Sequence, residues 1–297
     1  MVLHCPHCPP PESDLTEVRP TSVSFGTFFR KSDRVTVSRF QCLACRRTFS
    51  EATFDPCYGQ NKRHLNQEVA DRICDGASQR RIARRVRIHR KTVERKILFL
   101  ARMAKFRFDA RNLQSAKAAE IQFDDMETLE HTKCKPLSIT VAVEASTRRI
   151  LSFKLSRMPA KGTLAAISRK KYGPRKDERG PARRALLEDM QRLVEENAVI
   201  KSDKNPHYPP DVRAAFPKAK HLTYKGRKAA VTGQGELKVG GKDPIFSLNH
   251  TCAMFRDNLK RLHRKNWCTT KRPRILTAIL QIYAEYHNSY VILNPAR

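Results

Sequence analysis

Acidic side chains are scarce in this chain. Its 297 residues hold 29 Asp and Glu against 59 Lys and Arg, giving a formal net charge of +30 and an isoelectric point near 10.3. Such an imbalance reads most simply as phosphate-backbone binding, since each neutralised phosphate releases counterions; an anionic membrane surface is the weaker reading. The chain also lacks any apolar run near the roughly 20 residues that span a bilayer. Its start, Met1-Val-Leu-His-Cys5, has no basic-then-apolar signal pattern. No Gly-rich phosphate loop and no Ser-His-Asp spacing stands out. The expectation is a cytoplasmic protein, nucleoid-associated when bound to DNA, with no membrane partner. Nine cysteines are an odd number, and four of them form two Cys-x-x-Cys pairs. In a reducing compartment that favours a metal site over a disulfide framework.

The length allows one large domain or two or three small ones, and 40% hydrophobic residues suffice for a core. Cys5-Pro-His-Cys8 and Cys42-Leu-Ala-Cys45 enclose a segment that alternates like a β-hairpin, with Val23, Phe25 and Phe28 before a Lys31-Ser-Asp-Arg34 turn and Val35, Val37 and Phe40 after it. This is the pattern of a small β zinc ribbon over residues 1–57. Cys5, Cys8, Cys42 and Cys45 can converge on one tetrahedral structural Zn²⁺, which replaces the core that so short a module lacks. Free thiols or a redox dithiol are the alternatives, and His4, His7 or Cys57 could replace one ligand. The residue after each knuckle, often Gly, is Pro9 or Arg46 here.

Residues 58–108 read as helical. Asn66 caps Gln67 to Cys74, Asp75-Gly-Ala turns, Ser78 caps Gln79 to Val86, and a third helix runs from about His89 to Ala104. Val69, Ile73, Ile82, Val86, Ile88, Val93, Ile97 and Leu100 fit the inward positions of a trihelical, helix-turn-helix unit, with Arg87 near the place where a turn glycine is common. From Lys62 to Arg111 there are sixteen Lys and Arg against five Asp and Glu. Arg90, Lys91, Arg95 and Lys96 sit at or near the start of the third helix, where a recognition helix meets the major groove. A solvated basic face is the alternative. Residues 109–117 read as a polar linker.

The remaining 118–297 reads as an α/β domain with a mixed sheet. Strands are expected at Ile121–Leu129, Leu137–Val143 and Ile150–Leu155, the first carrying Asp124, Asp125 and Glu127. Carboxylates on a strand of a polyanion-binding chain suit a divalent cation held against phosphate; a solvated acidic turn is the alternative. A basic insertion at about 157–184 has ten Lys and Arg, two acids, three prolines and three glycines. It reads as a mobile loop, either touching DNA backbone or simply solvated. An amphipathic helix follows at Ala185–Val194, then a short strand from Ala198 that stops at Asp203, and a helix from about Pro210 to Ala215. Asp203 alone could be a turn or capping residue.

Phe123-Asp-Asp-Met-Glu127 on the first strand and Ile200-Lys-Ser-Asp203 on the fourth resemble the RNase H-like core of bacterial insertion-sequence transposases of the Asp-Asp-Glu type. Phe40 to Phe49 looks like their zinc ribbon, and Gly76 to Arg85 with Arg90-Lys-Thr-Val93 looks like their helix-turn-helix. Asn258 to Lys265 with Trp267 to Lys271 looks like their closing basic helix. The resemblance implies metal-dependent DNA strand cleavage and strand transfer on two Mg²⁺ or Mn²⁺ ions. It also implies element terminal repeats and target DNA as partners, and a homodimer or higher oligomer.

Within that family a Lys or Arg follows the third acid by seven residues. Here Arg256 fits, but seven residues before it stands Asn249. On one helix, Asn249, Arg256 and Lys260 would fall within about 20° of a line, while Leu248, Phe255, Leu259 and Leu262 form an apolar stripe. The expected set is therefore the Asp-Asp-Asn variant, Asp124, Asp203 and Asn249, with Glu236 as rival third ligand. Arg256, Lys260, Arg261 and Arg264 are expected against DNA phosphates. The competing reading is a DNA-binding regulator on a decayed catalytic core. The terminal stretch Ile275–Tyr283 should pack under the sheet.

Overall fold

The structure, a computed structural model, describes residues 4–9, 21–228, 236–263 and 268–292. It divides into two compact units, Met1–Gln67 and Glu68–Arg297.

In the first unit, β1 (Ser22–Arg30), β2 (Val35–Cys42) and β3 (Thr48–Ser50) form an antiparallel sheet in that order. The turn falls where the sequence puts it, and Arg34 takes its left-handed corner at φ 57°. Asp33 fixes the turn by accepting two 2.8 Å hydrogen bonds from the Arg30 guanidinium and pairing with Arg63 at 2.9 Å. These cations hold its carboxyl below the usual range, with Arg30 the main cause. The expected inward alternation fails on β1: Val23, Phe25 and Phe28 are 42%, 47% and 40% exposed. The buried cluster here consists of Cys5, Cys42 and Phe49, flanked by Cys8, Phe40 and Cys45.

Three helices precede the large sheet: α1 (Asn66–Cys74), α2 (Gln79–Arg85) and α3 (Arg90–Gln114). Ser78 accepts from the Arg81 N–H at 3.3 Å, and the His89 imidazole caps α3 by accepting from the Lys91 N–H at 3.2 Å. Arg87 stands at φ 50°, filling the left-handed position usually given to glycine. Helix α3 overruns the expected linker. Val93, Ile97, Leu100, Ala104 and Phe108 continue one buried stripe. Beyond them Asn112, 2% exposed, donates to the Ile150 and Leu151 carbonyls at 3.2 and 3.3 Å. Residues that read as a solvated linker therefore carry a buried polar bridge to a strand.

The sheet has the order β6-β5-β4-β7-β8, built from β4 (Ala118–Leu129), β5 (Pro136–Glu144), β6 (Ile150–Arg157), β7 (Val194–Asp203) and β8 (Lys220–Tyr224). β4, β5 and β6 are mutually antiparallel neighbours, while β7 runs parallel to β4 and β8 parallel to β7. One face buries Ile121, Phe123 and Ala142 under α5 (Arg179–Met190) and α6 (Tyr208–Ala215). The other buries Met126, Leu137, Ile139, Val141 and Val143 under α7 (Phe246–Asn258) and α8 (Pro273–Tyr286), in a cluster continuous with the cores of α1, α2 and α3.

The basic insertion is not one loop. Helix α4 (Leu164–Tyr172) occupies its middle, and α5 begins at Arg179, six residues earlier than expected. Gly180 and Pro181 fit the first turn because N–H groups there have no helical partner. Ser168 donates to the Cys134 carbonyl at 2.7 Å, and Arg175 pairs with Glu130 at 3.1 Å, anchoring the segment to the end of β4.

Helix α7 stops at Asn258. Leu259 is extended (φ −110°, ψ 96°), and both it and Leu262 turn inward, so Lys260 does not continue the line of Asn249 and Arg256. The reason lies in the α1–α2 turn. Gly76, at φ +74°, crosses the helix end so closely that a Cβ would lie 3.1 Å from the Asn258 carbonyl oxygen. Among the described residues no helix is long and apolar enough to cross a membrane. Gly76→Ala is expected to destabilise the second unit by about 1–3 kcal/mol through left-handed strain and this contact, read as a lowered thermal midpoint.

Candidate active site

Asp124 and Asp203 come from the neighbouring parallel strands β4 and β7, each two residues beyond the paired Gln122 and Lys201. By alternation both carboxylates lie on the face covered by α7. Asp124 Oδ1 accepts from the Asp125 N–H at 2.7 Å and from the Tyr208 hydroxyl at 3.0 Å. Asp203 Oδ1 accepts from the Asn205 N–H at 3.0 Å. Among the described residues no donor reaches either Oδ2. Burial, then the charge of Asp203, pushes the Asp124 carboxyl up to about 7. Burial also raises Asp203. Two acids that resist ionising together, each with one oxygen unclaimed, form a donor set suited to a hard divalent cation.

Helix α7 is docked against this strand by Gln122. Its Oε1 accepts from the Leu248 N–H at 3.0 Å, one of the first-turn donors without a helical partner, and its Nε2 donates to the Pro244 carbonyl at 3.4 Å. Asn249 follows Leu248, and its Nδ2 donates to Asp243 Oδ2 at 2.7 Å. Arg256 lies two turns further on, half-buried and without an ion pair among the described residues. Cys252 between them is buried, and burial pushes its thiol up to about 12. The Arg256 charge lowers that thiol while the Asp124 charge raises it, which brings both groups to the same neighbourhood.

Asp125 points to the opposite face and accepts from the Thr140 hydroxyl of β5. Glu127 pairs with Lys161 at 2.5 Å. Glu236 is exposed. The segment 229–235 before it, like Arg264, lies outside the described residues.

At the start of α3, Arg90, Lys91 and Arg95 are exposed, but Lys96 is 3% exposed. It sits three residues after Val93 and four before Leu100, on the inner stripe, so it is no phosphate contact. Lys260 is exposed; Arg261 is half-buried, and burial lowers its pKa.

The four expected cysteines gather in the first unit. Cys5 and Cys45 Sγ are 3.6 Å apart, Cys8 and Cys42 3.7 Å, and all four sulfurs lie within 4.8 Å of one another. Tetrahedral Zn–S bonds of about 2.3 Å require sulfur separations of about 3.8 Å, so the cluster could hold a metal such as zinc. Backbone N–H groups of Cys45 and Ala44 draw the Cys42 thiol down to about 7. His4 bonds Thr21 and Cys57 accepts from Asn66, both outside the cluster. Arg46 adopts φ 58°, the left-handed role of the usual knuckle glycine.

Gln122, Tyr208 and Asp243 were not singled out from sequence. A glutamine between Ile121 and Phe123 is the signal for the first, and an aspartate before Pro244 at a helix start is the signal for the last. The chain matches no family model, and no curated protein matches it.

Because Asp124 is raised in the folded state from 3.8 to about 7, the fold binds a proton more tightly than the unfolded chain does. Its penalty is absent below about pH 3.5 and complete above pH 7, where it is on the order of 2–4 kcal/mol. Asp124→Asn is therefore expected to raise the thermal midpoint of the metal-free protein clearly at pH 8 and hardly at pH 3.5.

Proposed function

We propose that the protein is a DNA transposase that binds element ends and carries out metal-dependent strand cleavage and strand transfer. The observation that carries this reading is the pair of carboxylates, Asp124 and Asp203, on adjacent parallel strands with an unclaimed oxygen each. The strand order, with three antiparallel strands followed by two parallel to the first, resembles the RNase H-like arrangement and supports it.

In this reading Asp124, Asp203 and Asn249 would hold Mg²⁺ or Mn²⁺. When bound, such ions activate the attacking water or 3′-hydroxyl and stabilise the leaving oxygen. The remaining work falls to the chain. Gln122 fixes α7 against β4, Asp243 orients Asn249, and Arg256 holds a flanking phosphate. The packing of α1, α2 and α3, with Arg90, Lys91 and Arg95 exposed, supports a helix-turn-helix whose third helix enters the major groove. The cysteine cluster is read as a structural Zn²⁺ site. The protein would act as a homodimer or higher oligomer in the cytoplasm, because transposition joins two ends.

Asn249 in place of a carboxylate favours the second reading, a DNA-binding regulator. Strand nicking and joining on a plasmid carrying the gene's own flanking DNA separates the two. Fixed, Mg²⁺- or Mn²⁺-dependent cuts are expected, and Asp203→Ala should lower them at least about 100-fold, since even groups that only support a ligand cost 10–100-fold. Tight specific binding with no cutting in either metal would establish the regulator instead. Zinc analysis of the purified chain should give one Zn²⁺ per chain, lost in Cys42→Ser together with the folded state of residues 1–67.

A further inference from the structure

Tyr208 is fully buried, yet its hydroxyl is turned to the sheet rim, where it donates to Asp124 Oδ1 at 3.0 Å. A buried hydroxyl needs a partner, but the choice of an acidic one has consequences. The phenol and the Asp125 N–H together occupy Oδ1, and among the described residues no donor holds Oδ2. The tyrosine ring is itself held by two neighbours. Its ring packs against Phe123, with centroids 4.8 Å apart, and the Arg183 guanidinium lies 5.2 Å from the ring centroid on α5. Arg183, 5% exposed, is locked in turn by Asp211 on α6, its Nε lying 2.7 Å from Asp211 Oδ2. Side chains from β4, α5 and α6 therefore converge on a single donor.

We propose that Tyr208 is a positioning residue for the metal site: it fixes the Asp124 carboxylate so that Oδ2 alone is presented to the divalent ion. The inference rests on the reading of Asp124 as a metal ligand. A carboxylate free to rotate must be ordered each time an ion binds, and it can turn its occupied oxygen to the metal. A carboxylate already locked avoids that cost, and locking it does not require the donor to touch the metal. Tyr208 is placed to do this because it follows Asp203 by five residues at the start of α6, so the strand that supplies the second acid also supplies the residue that steadies the first.

Tyr208→Phe removes only the hydroxyl and leaves the ring between Phe123 and Arg183. Two readouts on the full-length protein test it: Mn²⁺ binding followed by electron paramagnetic resonance, and the Mn²⁺ concentration that half-saturates nicking. The variant is expected to need about threefold to tenfold more Mn²⁺ in both, the value of one ordinary lost hydrogen bond. Zinc content and DNA-end binding should be unchanged, whereas a merely structural tyrosine would lower the thermal midpoint without raising the Mn²⁺ requirement. Wild-type-like Mn²⁺ binding in a folded Tyr208→Phe protein would overturn the inference while leaving the transposase reading in place. Weakened Mn²⁺ binding in a protein that never cuts DNA would uphold the inference and sink that reading. Should Tyr208→Phe fail to fold, Asp211→Asn loosens Arg183 from a distance. A shift in the same direction then supports the inference, and none overturns it.

Discussion

Two carboxylates, Asp124 and Asp203, sit on neighbouring parallel strands of the second unit, and burial raises both. Parallel pairing of β4 with β7 as far as Gln122 and Lys201 leaves Asp124 and Asp203 each two residues beyond it and, by alternation, on one face. Burial alone would neutralise a carboxyl, and a second acid beside it deepens the effect, which is why Asp124 is raised so far. A chain with twice as many basic as acidic residues could have relieved the strain with an arginine. Instead the nearest donors are a backbone N–H and a phenol, neither of which carries charge. Neutral donors orient the acid without neutralising it, which in the proposed reading leaves its charge to a divalent cation.

The same face of the sheet explains the reach of α3. Its buried stripe runs from Val93, near the basic residues at its start, to Phe108 and Asn112 against the strand edge. Gly76, in the turn between α1 and α2, lies against the last carbonyl of α7, the helix that carries Asn249 and Arg256. In the proposed reading the DNA-reading helices and the catalytic helix are thus parts of one packed body. A shift of α3 on DNA would be felt at α7 through van der Waals contact, since close-packed interiors transmit displacement.

Strand positions were legible because residues such as Ile121, Phe123, Ile139 and Val141 are apolar in short runs with polar turns between them. The cysteine cluster was legible because thiolate spacing has few other uses. What escaped was whatever depends on a partner far away in sequence. The stretch 109–117 looks solvated until Asn112 meets the carbonyls of β6, and the insertion looks mobile until Ser168 and Arg175 meet the end of β4. Lys96 looks like a phosphate contact because sequence shows its charge but not which side of α3 faces the core. The hairpin failed in the opposite sense: Phe25 and Phe28 alternate as if buried, while the burial of that unit is concentrated around its sulfurs.

The sequence favours Asn249 over its rival Glu236 as third ligand of the proposed site, and local chemistry separates them further. A carboxylate can only accept, so the atom of Asn249 held by Asp243 Oδ2 must be the amide nitrogen. That bond fixes the amide and leaves its carbonyl oxygen, the only atom of the side chain able to bind a cation, free of Asp243. Asp243 is a strong orienter because its own side chain is 5% exposed, receives the Ile245 N–H at 3.2 Å and lies 3.5 Å from the Lys238 ammonium. Glu236 has no such support: its side chain is exposed, and its tie to this region is a backbone carbonyl that accepts from the Asp243 N–H at 2.9 Å. An oriented neutral oxygen loses little entropy on binding, whereas an exposed glutamate must be ordered first. In the proposed reading that balance favours Asn249, weaker as a ligand but already oriented, over Glu236.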